Sequence, residues 1–375
     1  MKILLVITKA EVGGAQVFVL NLAKSLKKLG CEVEVAAGEG EFLYEELRKH
    51  KIPYYYLNSL RRGFSILKSL YFIFDLYKLL RKNDYDVIHL NSSNTLIGAL
   101  SAFPIKKTKA FFTFHGLSFI DNNYSSNTIV KYFAKLYFRV LLKLVDGAVC
   151  ECKLNYDEVM EANIVASSPI IYNGLDEQDL TFLSTEEAKG YLSQKCGSKL
   201  DNHFVIGTTG RLAYQKNHEF LINNFKQIKE RIPEARIVII GDGPDFNKFS
   251  SLIAEKGIKE DFFLIGEIEN SHQYLKGFDV FVMPSRYEGV SISLIETLYS
   301  ESPILASDVG GNKEVVGNCE KQLFEFDNFK EFIEKLLEIK NNRDYFVEYN
   351  RNMKSKFSLD KMAESYKELF DSVGY

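Results

Sequence analysis

The chain has 375 residues, enough for two domains at ~100–200 residues each. Hydrophobic residues make up 46% and charged residues 26%, and 47 Lys+Arg against 50 Asp+Glu leave a net charge of −3. This balance excludes a strongly basic nucleic-acid binder and an acidic disordered chain. Five scattered cysteines with no CxxC pair (Cys31, Cys150, Cys152, Cys196 and Cys319) argue against a disulfide framework and a structural zinc site, and fit a reducing cytoplasm.

Short apolar runs alternate with longer amphipathic ones. The first, Ile3–Ile7, is shorter than the ~7–15 residues of a signal-peptide core and reads as a strand. Strands are expected at Lys2–Thr8, Glu32–Ala37, Tyr54–Leu57, Val87–Leu90, Ala110–Phe114, Gly147–Cys150 and Ile170–Ile171. Helical patterns lie between them at Ala15–Leu29, Phe42–Lys49, Ile66–Arg81 and Asn127–Leu144. In the second half the strands are Phe204–Thr208, Arg236–Ile240, Phe262–Ile265, Val280–Met283 and Ile304–Ala306. The helices there are His218–Glu230, Phe246–Glu255, Ser291–Ser300 and Phe329–Ile339. Such alternation predicts an α/β chain of two Rossmann-like domains with parallel sheets, residues 1–172 and 173–358.

The break is placed at Ser167–Leu175, where Pro169 and the pair Asn173-Gly174 punctuate the chain. Asp121–Asn127 is polar and aperiodic, and reads as a mobile loop. Charge is uneven: residues 1–172 hold 22 basic and 16 acidic side chains, net +6, while residues 173–375 hold 25 and 34, net −9. Either the two domains have different partners or solvated charge is unevenly spread. No apolar run reaches the ~18 residues of a membrane span; the nearest, Leu67–Leu80, is interrupted by Lys68, Asp75 and Lys78.

Several positions carry candidate chemistry. Gly13-Gly14, between a strand and a helix, offers backbone N–H groups to a phosphate, or simply a tight turn. Arg211 and Lys216 follow the strand FVIGTT, where a parallel sheet binds ligands, and a planar fork beside a point charge suits a diphosphate; solvated loop cations are the alternative. In PSRYEGVSISLIETLYS, Glu288 falls in a strand–helix loop and Glu296 about five residues into the helix, ~7–8 Å deeper. Carboxylates so spaced can accept from sugar and ribose hydroxyls at the two ends of an extended nucleotide-sugar. The N–H groups of Gly289, Val290 and Ser291 then face its anionic middle. His115 ends the strand AFFTF beside Gly116 and is a ligand-contacting or a structural histidine; His89 has a weaker claim. Asp84-Tyr85-Asp86, the one D-x-D, precedes its strand and reads as a turn, with no metal role.

The run PSRYEGVSISLIETLYSESPILASDVGG resembles the signature of retaining GT-B glycosyltransferases of family 4, the glycogen-synthase-like group. VGGAQ, FHG, IYNGLD, GRLAYQKN, VIIGDGPD and FLIGEIE extend the likeness along the whole chain. Val290-Ser291 departs from the usual Phe-Gly or Phe-Pro, at a place where mainly backbone is used. The resemblance implies an active site between two Rossmann-like domains, with a final helix, about 359–373, crossing back to the first. It implies that Arg211 and Lys216 bind the donor diphosphate, Glu296 the ribose and Glu288 the transferred sugar. Backbone around Gly266–Ile268 meets the base, Gly13 and Gly14 approach the phosphates, and His115 sits by the reacting sugar. The implied reaction moves a sugar from a nucleoside-diphosphate sugar, commonly a UDP-sugar, to an acceptor hydroxyl with retention. It proceeds by front-face attack and uses neither cofactor nor metal. A GT-B-fold sugar-nucleotide epimerase and a non-catalytic nucleotide-sugar-binding subunit are the competing readings; no nucleic-acid partner is expected.

Ser59–Lys82 carries Arg61, Arg62, Lys68, Lys78, Arg81 and Lys82 against Asp75, net +5. Leu67, Leu70, Tyr71, Phe74 and Tyr77 recur at helical spacing, and Lys131, Lys135, Arg139 and Lys143 form a second basic series. The expectation is a first domain peripheral on the inner face of the cytoplasmic membrane, reaching a lipid-linked acceptor in cell-surface polysaccharide synthesis. The alternative is that both helices pack their apolar stripes on the sheet.

Overall fold

A computed structural model describes residues 1–61, 65–115, 128–164, 168–317 and 319–373. Arg62, Gly116, the Asp121–Asn127 loop and Ser167 therefore lie outside the described residues. Two units divide the chain: Met1–Gly174 with Phe357–Tyr375, and Leu175–Lys356.

The first unit holds β1 (Lys2–Ile7), β2 (Glu32–Ala37), β3 (Tyr54–Tyr56), β4 (Val87–Leu90), β5 (Lys109–Phe114) and β6 (Gly147–Cys150). Its helices are α1 (Gly14–Lys28), α2 (Phe42–Lys49), α3 (Ile66–Asn83), α4 (Ala99–Ala102), α5 (Thr128–Leu141) and α6 (Lys153–Glu161). The sheet order is β3-β2-β1-β4-β5-β6, all parallel. Strands buried on both faces read as continuous apolar runs, as KILLVI does. Ile3, Leu5 and Ile7 pack with α1 and α2 in one cluster; Leu4 and Val6 pack with α3, α4 and α5 in the other. The expected strand Ile170–Ile171 shrinks to a bridge. Cys150 N–H donates to the Pro169 carbonyl and Ile171 N–H to the Cys150 carbonyl, each at 3.0 Å, and the pairing goes no further.

The second unit holds α7 (Thr185–Cys196), β7 (Phe204–Thr209), α8 (His218–Arg231), β8 (Ala235–Ile240), α9 (Phe246–Glu255), β9 (Phe262–Leu264), β10 (Val280–Met283), α10 (Ile292–Ser300) and β11 (Ile304–Ser307). It continues with α11 (Asn312–Val315), β12 (Leu323–Phe324), α12 (Phe329–Asn341) and α13 (Arg343–Met353). The order β12-β11-β10-β7-β8-β9 repeats the winding of the first sheet. The last helix, α14 (Leu359–Ser372), returns to the first unit, where Leu359, Met362, Tyr366 and Phe370 join the α1 side of the core. The Tyr366 hydroxyl lies 2.9 Å from Thr113 Oγ1, whose other neighbour is His89 Nε2 at 2.7 Å.

In each sheet two neighbouring strands, β1 with β4 and β7 with β10, begin windings that run in opposite directions. The loops at their carboxyl ends diverge there, and ligands of such sheets bind at that point. In β7, FVIGTT, Gly207 leaves room for a ring: a Cβ there would lie 2.0 Å from Phe278 Cγ. Gly207→Ala is expected to destabilise the second unit by about 1–3 kcal/mol through overpacking, read as a lower urea midpoint. An unchanged midpoint would show that Phe278 can move aside.

Candidate active site

At the carboxyl end of β7, Gly210 adopts φ +140°, open to glycine, and the side chain of Lys216 passes over it; a Cβ there would sit 3.6 Å from Lys216 Cε. Lys216 Nζ reaches across to the loop after β10 and pairs with Glu288 Oε1 at 2.7 Å. The lysine side chain is 18% exposed and the glutamate 6%, so solvent screens the pair little. Gln215 Nε2 also donates to the Tyr287 carbonyl at 3.1 Å and to Glu288 Oε2 at 3.3 Å, and Arg286 N–H donates to the Gln215 carbonyl at 2.8 Å. Gly310, at φ +53°, backs the same loop: a Cβ there would lie 1.8 Å from the Glu288 carbonyl oxygen. Arg211 is exposed and makes no hydrogen bond or ion pair among the described residues. Lys216 is thus neutralised by a carboxylate while Arg211 presents a free fork.

The loops after β8 and β9 continue this row. Leu212 N–H donates to the Asp242 carbonyl at 2.9 Å, and Gly241 N–H to the Gly266 carbonyl at 2.8 Å. Gly266 has φ +77°, and Ile268 follows it half-buried. Arg211, Lys216, Glu288, Gly266 and Ile268, assigned to phosphate, sugar and base, therefore stand on loops at one end of the second unit's sheet.

Gly289 leads to Val290 and Ser291, both buried, which precede α10. Ser291 makes no side-chain cap, and no acidic residue occupies the first turn, so nothing in the helix's own first turn offsets the positive end of its dipole. Glu296 is the fifth residue of α10, among Leu294, Ile295 and Leu298. Its carboxyl is half-buried and has no hydrogen-bond partner among the described residues; burial pushes its pKa up to about 7.

In the first unit, His115 and Glu151 each follow the last residues of neighbouring strands paired Phe114 with Cys150, so they form the next register pair. His115 Nδ1 lies 2.7 Å from Glu151 Oε1. An ionised carboxylate only accepts, so Nδ1 donates and the ring is held in one orientation. Phe18 packs edge-on against it at 4.7 Å, and Nε2 faces Asn91 Oδ1 at 3.4 Å. The sequence reading missed Glu151; its signal was a carboxylate directly after a strand, at the same sheet end as His115. His89 is fully buried, and burial, helped by His115, lowers its pKa to about 3, which makes it a neutral core residue. Gly13 precedes α1 in extended backbone, φ 176°, and α1 has neither a side-chain cap nor a first-turn acid. Glycine is not required there by its backbone; a Cβ would only crowd Gln16 Oε1, at 2.6 Å. Gly14 opens the helix.

The D-x-D is a turn at the opposite end of the sheet. Asp84 caps α3 at φ 53°, Asp86 accepts from Lys2 N–H at 2.7 Å, and Lys107 lies 3.0 and 3.5 Å from the two carboxylates. Among the described residues no three His, Cys, Asp or Glu side chains come together to hold a metal. Of the cations assigned to a membrane or acceptor, Lys68, Arg81 and Lys82 are exposed on α3, and Arg61 donates to Asn58 Oδ1 at 2.9 Å.

Residues 12–179 match the family model described as Glycosyltransferase Family 4, and residues 194–355 match that of Glycosyl transferases group 1. The chain is a family 4, group 1 glycosyltransferase. This transferase is 27% identical over 345 residues to the Escherichia coli UDP-Gal:alpha-D-GlcNAc-diphosphoundecaprenol alpha-1,3-galactosyltransferase, covering 88% of this chain and 85% of that one. It is 23% identical over 389 residues to the capsular polysaccharide biosynthesis glycosyltransferase CapH of Staphylococcus aureus, covering 99% of each. Anabaena HepE in complex with UDP-glucose superposes with a TM-score of 0.81 at 20% identity, over 99% of this chain and 100% of that one. The sucrose-phosphate synthase of Thermosynechococcus elongatus does so at 0.81 and 16%, over 99% and 98%. These likenesses establish the GT-B fold of the transferase.

The Glu296 carboxyl also carries a stability consequence. The folded chain keeps its proton up to about pH 7, whereas an unfolded chain loses it near the ordinary value of 4.5. The folded state therefore binds more protons between these values, and stability falls as pH rises through them. Glu296→Gln is expected to raise the stability of the ligand-free transferase at alkaline pH by about 1–3 kcal/mol, allowing for partial exposure, and by little near pH ~5. A stability gap independent of pH in chemical denaturation would refute this.

Proposed function

We propose that this transferase moves a sugar from a UDP-sugar to a hydroxyl of a lipid-linked glycan in cell-surface polysaccharide synthesis, with retention at the anomeric carbon and without a metal ion. The observation that carries the reading is the loop row at one sheet end, where Arg211 stands free, Lys216 meets Glu288, and Glu296 waits unpartnered behind an uncapped helix start. Its UDP-sugar and lipid-linked parts draw on the printed names of the E. coli relative and the HepE complex.

In this reading Arg211 and Lys216 take the diphosphate, and the backbone of Gly289, Val290 and Ser291 adds dipolar stabilisation. Glu296 accepts from the ribose, Glu288 from the transferred sugar, and Gly266 and Ile268 frame the base. Gly13, Gly14 and His115 serve the same reaction from the first unit. The bond between the anomeric carbon and the phosphate oxygen breaks. The acceptor oxygen bonds to that carbon on the same face, and its proton passes to the departing phosphate oxygen. Charge builds on the diphosphate as it leaves, so fixed cations lower the barrier. Arg211→Ala is then expected to cost about 2.7–4 kcal/mol in kcat/KM by comparison with oxyanion-hole deletions.

Glu288→Gln and Glu296→Gln are expected to differ when assayed with the nucleotide-sugar that gives the largest thermal-shift stabilisation. Loss at Glu296 touches a part of the donor that does not react and raises KM; loss at Glu288 falls mainly on kcat. Identical kinetic signatures would overturn the assigned roles.

EDTA is expected to leave the initial rate unchanged, because Arg211 and Lys216 take the place of a metal at the diphosphate. A rate lost to chelation and restored only by Mn²⁺ or Mg²⁺ would refute metal independence.

A further inference from the structure

Helix α3 buries Phe72, Leu76 and Leu80 against the sheet, which is the stripe a helix of this fold must bury. Its opposite face is apolar too. Leu67, Leu70, Tyr71 and Phe74 are each 54–69% exposed. Helix α5 repeats the arrangement: it buries Phe138 and Leu141, while Ile129, Tyr132, Phe133, Leu136 and Val140 form an outward stripe, 45–64% exposed. Both helices pack on the same face of the first sheet, and Phe103, just after α4, is 67% exposed on that layer. Among the described residues, thirteen of the twenty exposed large apolar side chains lie between Ile66 and Val140, on this one layer. Among the described residues, each helix thus presents a second apolar face that is exposed.

The charge on these two helices is mostly positive. The outward face of α3 continues past Phe74 into Lys78, Arg81 and Lys82, all exposed, with Lys78 Nζ 4.1 Å above the Phe74 ring. Asp75, the one acid of α3, accepts from Ser59 Oγ at 2.8 Å, and α5 contains no acid at all. Residues 1–172 are net +6 while the rest of the chain is net −9. No described helix is long and apolar enough to cross a membrane. Amphipathic helices with aromatic and aliphatic side chains on one face and cations beside them lie in the plane of a lipid interface. A second copy of this chain fits less well, since a two-fold contact through this face would bring two surfaces of the same positive sign together.

We propose that the α3–α5 face is a docking surface for an anionic lipid bilayer, with its apolar side chains seated among the acyl chains and its cations at the headgroups. It rests on the lipid-linked acceptor reading only for its purpose. Vesicle binding is read with no donor and no transfer, so a chain that binds vesicles yet glycosylates a water-soluble acceptor would sink that reading and leave this one standing.

The test is co-sedimentation of the full chain with phosphatidylcholine vesicles and with vesicles in which roughly one-third of the lipid is phosphatidylglycerol. Binding is expected to the anionic vesicles, about tenfold weaker to the neutral ones, and about tenfold weaker again once salt shortens the Debye length below ~5 Å. Phe74→Ser with Phe133→Ser is expected to abolish binding with the melting temperature held. If that pair fails to fold, Lys78→Ser with Arg81→Ser and Lys82→Ser keeps the test, since these side chains are exposed. Binding to neither vesicle, equal binding to both, or a stable dimer abolished by the same phenylalanine changes would overturn the proposal.

Discussion

The ion pair between Lys216 and Glu288 joins the loops of two strands whose windings run in opposite directions. Neighbouring parallel strands that diverge leave their following loops splayed, and backbone there lacks sheet partners. The second unit bridges the gap with a charge pair backed by Gln215 and by the close approach of Gly310. A largely buried ion pair of this kind gains little net stability after desolvation. Its value lies in fixing where two reactive side chains stand. In the proposed reaction a diphosphate arriving at Arg211 competes with Glu288 for Lys216, which gives each charge a role with and without ligand.

Glu296 follows the opposite logic. It sits in an apolar helix with no partner, at a stability cost seen in its raised pKa. A leucine or glutamine would fold better there. Such a break of a local folding rule with no compensating contact is what the proposed ribose-binding role of Glu296 would call for. The same reasoning separates His115 from His89. His115 follows β5, and His89 lies within β4. His89 is sealed among Phe18, Tyr366 and Phe370, whereas His115 has a carboxylate on one nitrogen and stands at the sheet's carboxyl end.

Strands buried on both faces were legible because each is an apolar run bounded by punctuation; β2, β4, β6 and β10 occupy their expected ranges. Helices with broad apolar stripes, such as α2 and α8, were equally plain. The missed helices share a thin stripe. Helix α7 buries only Ala188 and Leu192, α13 only Phe346 and Asn350, and α6 only Asn155 and Val159, so their apolar periodicity is too sparse to read. For α7 a different signal was present: Ser184 and Glu187 form a reciprocal capping box. Strand β12 is two residues long and owes its place to β11, a long-range pairing that local pattern does not encode. Among the site residues, those on strand–helix loops were readable from their distance to a strand end. The Glu151–His115 contact was not, since it depends on the register of two strands 36 residues apart.

The exposed layer of α3 and α5 shows a limit of periodicity as a guide to burial. A stripe repeating at i, i+3, i+4 and i+7 states that one face is apolar; it does not state which face meets the sheet. In α3 two stripes compete, Phe72-Leu76-Leu80 and Leu67-Leu70-Tyr71-Phe74. The sheet below takes the first because its residues recur through the last three turns of the helix, against Leu4, Val6 and Ile88. The second is left outside, in a chain whose remaining surface is ordinary. A helix that is apolar on two sides is most stable when both sides are covered; the sheet supplies one cover, and in the proposed docking a lipid surface supplies the other. The cations of the last turn make such a face soluble alone and give it an electrostatic preference for what covers it.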